Sequence, residues 1–166
     1  VIYLATVGKK IVDMSNNVKD GVEMARTGKH PALICRLKSG WVVLGDMQYL
    51  RGYCILLADP LVSSINDLDE KSRCNFLSDM VLVGDALLKV TGACRINYGI
   101  MGNSDPYLHA HIVPRYKDEP EEMQHNHPWA YPAEVMYDGN RFSTENDGEL
   151  ARHLADEIHR MRVLQE

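Results

Sequence analysis

The chain has 166 residues, 45% of them hydrophobic, which is enough to bury one substantial core and too few for two ordinary domains. Its 18 basic and 23 acidic residues leave a formal net charge of −5, so no global attraction to nucleic acid or an acidic membrane is expected, and any anion site has to be local. The apolar runs are too short to span a bilayer, no charged-then-apolar secretory leader is seen, and Cys35, Cys54, Cys74 and Cys94 form no CxxC pair. Small buried thiols in a reducing cytoplasm are the expectation.

Taken in chain order, Ile11, Met14, Val18, Val22 and Ala25 recur at steps of three and four and predict a helix that ends near Gly28 and Pro31. Residues 32–37 and 41–44, aliphatic and joined by Lys38-Ser39-Gly40, predict a hairpin, and residues 53–58 a third strand after Gly52. A long helix is expected over 67–90, with Asp67 and Glu70 as a capping box and Leu77, Met80, Val81, Gly84, Leu87 and Leu88 on its apolar face. Strands over 94–101 and 108–115 follow, linked by the turn-forming residues 102–106. The acidic, proline-broken stretch 117–140 reads as a surface loop or lid with residues 118–122 solvated. Within it, Trp129 and Tyr131 are either packing for the last helix or platforms for a base. A final helix is expected over about 148–164, with Leu150, Leu154, Ile158 and Met161 on one side. Strands come in adjacent groups with a helix between them, which predicts an antiparallel α+β sheet rather than a βαβ alternation. One domain spanning 1–166 is expected, with a motif-bearing core at about 31–116, a helical extension before it and a loop and helix after it.

Chemistry concentrates in the strand over 108–115. Side chains alternate on a strand, so Tyr107, His109 and His111 share one face while Leu108, Ala110 and Ile112 anchor the other. A His-X-His pair leaves three readings open: a hydrogen-bonded structural pair, the start of a metal site completed from His125, His127 or an acidic side chain, or nucleophilic and acid-base work. The preceding loop, with the backbone amides and side chains of Asn103 and Ser104, can donate to anionic oxygens and favours phosphate chemistry. Arg115, on the histidine face near the strand end, is either part of that anion site or a surface charge.

The run Gly102-Asn-Ser-Asp-Pro-Tyr107-Leu-His109-Ala-His111-Ile-Val-Pro114-Arg115 resembles the signature of the histidine-triad nucleotide-binding enzymes. The resemblance extends back through Trp41-Val-Val-Leu-Gly45-Asp46 and the strand after Gly52, and covers about residues 31–116. With the register set by Pro114, His111 matches the third histidine of the triad, His109 the middle one, and Tyr107 stands where the family has its first histidine. The resemblance implies that His109 attacks the α-phosphorus of a nucleotide to form a covalent nucleotidyl-histidine, and that His111 assists the leaving group as a proton donor. It also implies that Asn97, Asn103 and Ser104 contact phosphate and that Asp46, or Gly45 through its backbone, holds the ribose. Dinucleoside polyphosphates such as diadenosine polyphosphates, or nucleoside phosphoramidates, are the implied substrates. A homodimer is implied too, with no resident cofactor or metal beyond a magnesium ion escorting a polyphosphate. The tyrosine is the departure: a phenol with a reference pKa near ~10 cannot replace imidazole as a proton shuttle at neutral pH. A protein that keeps the nucleotide pocket as a non-catalytic sensor is therefore the rival reading, ahead of a metal protein.

Overall fold

The computed structural model describes residues 17–138 and 140–164. Helix α1 (Val18–Arg26) starts at Asn17, whose side chain accepts a hydrogen bond from the Asp20 amide, and it buries Val18, Val22 and Ala25 along one stripe. Ile11 and Met14, the other positions of the predicted helix, lie outside the described residues. Strands β1 (Leu33–Arg36) and β2 (Gly40–Leu44) form the expected hairpin, followed by β3 (Cys54–Ala58). The hairpin turn is tied down from a distance: the amide and hydroxyl of Ser39 both donate to the buried carboxylate of Asp79.

Helix α2 (Glu70–Thr91) begins at Asp69, which accepts from the Ser72 amide at 2.8 Å, and ends at Gly92, whose φ of 71° gives the left-handed cap that glycine allows. The predicted capping box at Asp67 therefore lies too early, because Ile65–Asp67 forms a separate 3₁₀ turn. The predicted apolar face needs correction as well. Phe76, Met80, Val83, Ala86 and Leu87 are buried, whereas Leu77, Val81 and Leu88 point outward.

Among the described residues, strands β4 (Arg95–Gly99) and β5 (His109–Arg115) complete a five-stranded, fully antiparallel sheet in the order β1-β2-β3-β5-β4, with β4 at one edge. One face of the sheet carries Val42, Leu44, Leu56, Leu108, Ala110 and Ile112, and it packs on α2 and the C-terminal helix in one apolar core. Among the described residues the other face has two separate covers. Val18 and Val22 of α1 sit on Val43 and Leu57, while Tyr131 packs with Leu50, Tyr53 and Val113.

The second cover is the stretch read as a surface loop. It folds into α3 (Glu121–Gln124), a 3₁₀ turn (Pro128–Ala130) and α4 (Ala133–Tyr137), and it buries Glu119, so the acidic run is not wholly solvated. The last helix, α5 (Thr144–Val163), begins earlier than predicted, at a Ser143 side chain that accepts from the Asn146 amide. Its Leu150, Leu154, Ile158 and Met161 are buried as the periodicity requires. The expectation of four buried thiols fails for Cys74 and Cys94, which are exposed. Among the described residues no helix is long and apolar enough to cross a membrane.

Candidate active site

The alternation along β5 sends Leu108, Ala110 and Ile112 into the helix-side core and leaves Tyr107, His109 and His111 on the opposite face. His109 is buried, and its Nδ1 lies 2.8 Å from the Tyr107 carbonyl. A carbonyl can only accept, so Nδ1 carries the proton and the lone pair of the neutral ring resides on Nε2. The His111 ring stands edge-on to it, centroids 4.8 Å apart, and its Nδ1 meets the Tyr53 hydroxyl. Burial pushes the Tyr53 phenol far above its ordinary range, which keeps that hydroxyl protonated and able to donate. Burial, with a smaller contribution from His109, pushes His111 down to about 4. At neutral pH the free ring is thus an uncharged N–H donor, and it becomes an acid only when an anion beside it restores its basicity.

These histidines line a cleft of about 260 Å³ bounded by α1, β2, β3 and β5. Asp105 builds one wall: one carboxylate oxygen accepts from the Val18 amide at 2.6 Å and the other from the Tyr107 amide at 3.0 Å. The N-terminus of α1 is thereby fastened to the segment that presents His109. At the opposite end of the helix, Arg26 pairs with Asp59, which also accepts from the Trp41 indole at 2.8 Å. Among the described lining residues there is no lysine or arginine, so imidazoles, the Asn17 side-chain amide and backbone dipoles are the donors available to an anion.

The residues singled out in the sequence divide between two places. Asp46 lines the cleft. Gly45 is buried beneath it, with its amide donating to the Tyr53 carbonyl and its carbonyl accepting from Gln48, so its backbone groups are already used. Asn103 and Ser104 are exposed on the loop before β5 and are not in the lining. Tyr107 packs its side chain against the apolar cluster under α1, and its hydroxyl has no hydrogen bond among the described residues; its contribution to His109 is the main-chain carbonyl.

Asn97 and Arg115 lie in a second, larger hollow of about 830 Å³ along β4. Asn97 accepts from Arg115, and the buried guanidinium also donates to Glu119 and to the Asn126 and Met123 carbonyls. Arg115 is therefore neither a surface charge nor a ligand of the histidine cleft; it is the centre of a polar clasp. Glu119 receives further hydrogen bonds from the Tyr116 amide and the Tyr131 hydroxyl. Its burial opposes ionisation, but Arg115 and these donors together hold its carboxyl below the usual range.

Tyr131 is in this way part of the packing. Trp129 lies against Gly99, where an added Cβ would come within 3.2 Å of the indole, and stands edge-on to His111 at 5.2 Å between ring centroids. His127 accepts from the Trp129 amide and caps the 3₁₀ turn. Among the described residues no three His, Cys, Asp or Glu side chains are grouped so as to hold a metal ion. Sequence reasoning missed His30, Tyr53 and Asp105. The last two lie inside the runs that carry the resemblance, whereas His30 carried no signal beyond its place just before a strand.

No family model matches the sequence, and no curated protein matches it significantly. Solved structures do match. A histidine-triad protein from Bradyrhizobium japonicum is 21% identical, with 81% of this chain and 95% of that one covered and a TM-score of 0.61. A hypothetical histidine-triad nucleotide-binding protein from Sulfolobus tokodaii is 13% identical over 86% and 93% of the two chains, at 0.65. A zinc-bound histidine-triad family protein from Mycobacterium smegmatis is 15% identical over 89% and 99%, at 0.63. The chain has the histidine-triad fold, and at these identities the likeness is one of fold.

Proposed function

We propose that this is a histidine-triad enzyme, a nucleotide hydrolase or nucleotidyl transferase that attacks the α-phosphate of dinucleoside polyphosphates or nucleoside phosphoramidates with His109. The observation that supports this most is the hydrogen bond from His109 Nδ1 to the Tyr107 carbonyl, which leaves the Nε2 lone pair free in a cleft beside a second imidazole. In the first step Nε2 forms a bond to phosphorus while the bond to the leaving group breaks, its electron pair departing with the leaving oxygen or nitrogen. The ring becomes a cation, and the carbonyl on Nδ1–H stabilises it. His111 donates its N–H to the phosphate; once the anion restores its basicity the ring takes up a proton from solvent and passes it to the leaving group. Water or another acceptor then attacks the same phosphorus and gives up its proton to the now neutral His111, the P–N bond breaks with its electron pair returning to Nε2, and His109 is regenerated. The Asp46 carboxylate accepts from the ribose hydroxyls. Asn103 and Ser104 reach phosphate only by movement of their loop, and Asn97 holds Arg115 in its clasp rather than touching the ligand.

The route uses no resident cofactor, and any magnesium ion arrives with a polyphosphate substrate. We place the protein in the cytoplasm, as a homodimer that does not bind nucleic acid. The dimer is supported by the exposed stripe Leu77, Val81 and Leu88 on α2 beside β4, which is an edge strand among the described residues and where Tyr98 is also exposed. Val81→Asp is expected to convert a dimer to a monomer by light scattering, and a monomeric wild type contradicts that part.

Steady-state assays of diadenosine polyphosphates beside an adenosine phosphoramidate test the reading. Release of AMP by the wild type with a loss of ~10³-fold or more in His109→Ala is expected. The packing of Tyr107 under α1, away from imidazole chemistry, supports a second reading, a nucleotide sensor without turnover. Tight AMP binding with no product from any substrate would establish that one instead.

A further inference from the structure

One imidazole of the cleft has no part in the chemistry proposed above. His30, between α1 and β1, is half-buried and lines the same cleft as His109 and His111. Its Nδ1 accepts from the Ala32 amide at 3.2 Å, so in the neutral ring the proton is on Nε2. Burial lowers the basicity of the ring more than Asp46 raises it, and the neutral form is the resting one. Nε2 has no hydrogen-bond partner among the described residues. Space beside it exists because position 21 is glycine: a Cβ there would lie 3.9 Å from Nε2 and 3.1 Å from Leu57 Cδ1.

The floor of this part of the cleft is apolar. Val43 on β2 pairs with Ile55 on β3, which pairs with His111, and Leu57 pairs with His109. The strip therefore runs two strand spacings from the histidines, roughly 10 Å. That is the reach of a nucleoside away from its 5′-phosphate. Val43 and Leu57 are largely covered by Val18 and Val22, so a flat ring is held against the more accessible Ile55 in the gap that Gly21 leaves, where it meets the Nε2–H of His30, with Asn17 and Asp46 also on the cleft wall.

We propose that His30 reads the base: its Nε2–H donates to a ring nitrogen of a purine seated between α1 and the β2–β3 strip. This rests on the nucleotide reading of the cleft and adds to it a specificity-determining residue. Calorimetric titration of AMP, 3-deaza-AMP, 7-deaza-AMP and ribose 5-phosphate into wild type, His30→Leu and Gly21→Val tests it. The wild type is expected to bind AMP about three- to tenfold more tightly than one of the two deaza analogues, the worth of one neutral hydrogen bond. His30→Leu should lose that same factor on AMP and bind the same analogue as well as AMP, with ribose 5-phosphate unchanged.

Gly21→Val, which fills the space beside His30 Nε2, should weaken AMP and spare ribose 5-phosphate, and thermal melts check that both variants are folded. Unchanged AMP affinity in His30→Leu, equal wild-type binding of AMP and both analogues, or an equal loss on ribose 5-phosphate overturns the proposal. If His30→Leu behaves as wild type while AMP binds and a nucleotidyl adduct forms, this inference alone fails. If the wild type binds no AMP, the nucleotide reading fails with it.

Discussion

The two faces of the sheet are held by different physics. On one, α2 and α5 close over a single apolar core in which Phe76, Leu87, Leu154 and Ile158 are almost wholly buried. On the other, two covers leave a cleft between them, and both are fastened by charged groups: Arg26 to Asp59 and Val18 to Asp105 for α1, Arg115 to Glu119 for the segment after β5. The apolar face supplies stability without a ligand. The polar face gives up continuous packing to keep two imidazoles reachable, and it makes up part of the loss with ion pairs that respond to pH.

The contrast can be broken by substitution. Phe76→Ala should cost about 3–5 kcal/mol in denaturant unfolding, with little dependence on pH and AMP affinity intact in the folded protein. Glu119→Ala leaves Arg115 buried without its partner and should cost about 3 kcal/mol at pH 7. Because the carboxyl of Glu119 is held below its usual range, its contribution is present above the unfolded value of ~4.3 and disappears as pH falls through the folded one. The gap between wild type and Glu119→Ala should therefore narrow in acid, whereas that for Phe76→Ala should not. A pH-independent gap for Glu119→Ala would remove the distinction between the faces.

His111 titrates in a higher window. Its folded value of about 4 lies below the unfolded 6.5, so stability is complete above 6.5 and declines as pH falls toward 4. The decline is about 2 kcal/mol once partial exposure is allowed for. His111→Gln should flatten that slope, and NMR titration of the free protein should place the His111 midpoint near 4; a midpoint near 6.5 contradicts the burial argument. The smallest effect is expected from Gly99→Val, under about 1 kcal/mol. It should still red-shift the emission of Trp129 as the indole is pushed off β4, and the shift should vanish in a Trp129→Phe background.

How far each face can be read from sequence follows the same division. The strands, α1, α5 and the alternation that places His109 and His111 on the cleft face follow from period-two and period-3.6 patterns, which are local. Helix α2 shows the limit of periodicity. Its sequence holds two apolar stripes, through Leu77, Val81 and Leu88 and through Phe76, Met80, Val83 and Leu87, and only packing between the sheet and α5 selects the second. The polar face is stitched by contacts across long stretches of chain: Val18 to Asp105, Tyr53 to His111, Tyr49 to the Pro128 carbonyl. No local pattern encodes these, so Glu119 looked like one more solvated acid and Arg115 like either an anion ligand or a surface charge. The first triad position is a related case, since the tyrosine is visible in the sequence but its support of His109 comes through the backbone.

The central claim is that Nε2 of His109 becomes bonded to phosphorus. Rapid mixing with a diadenosine polyphosphate, quenching in alkali where a phosphorus–nitrogen bond survives, and intact-mass analysis with peptide mapping address it most directly. One adenylyl group on His109, formed and lost at rates that match turnover and absent from His109→Ala, is the predicted result. Turnover with no adduct at any quench time, or an adduct on another residue, contradicts the account.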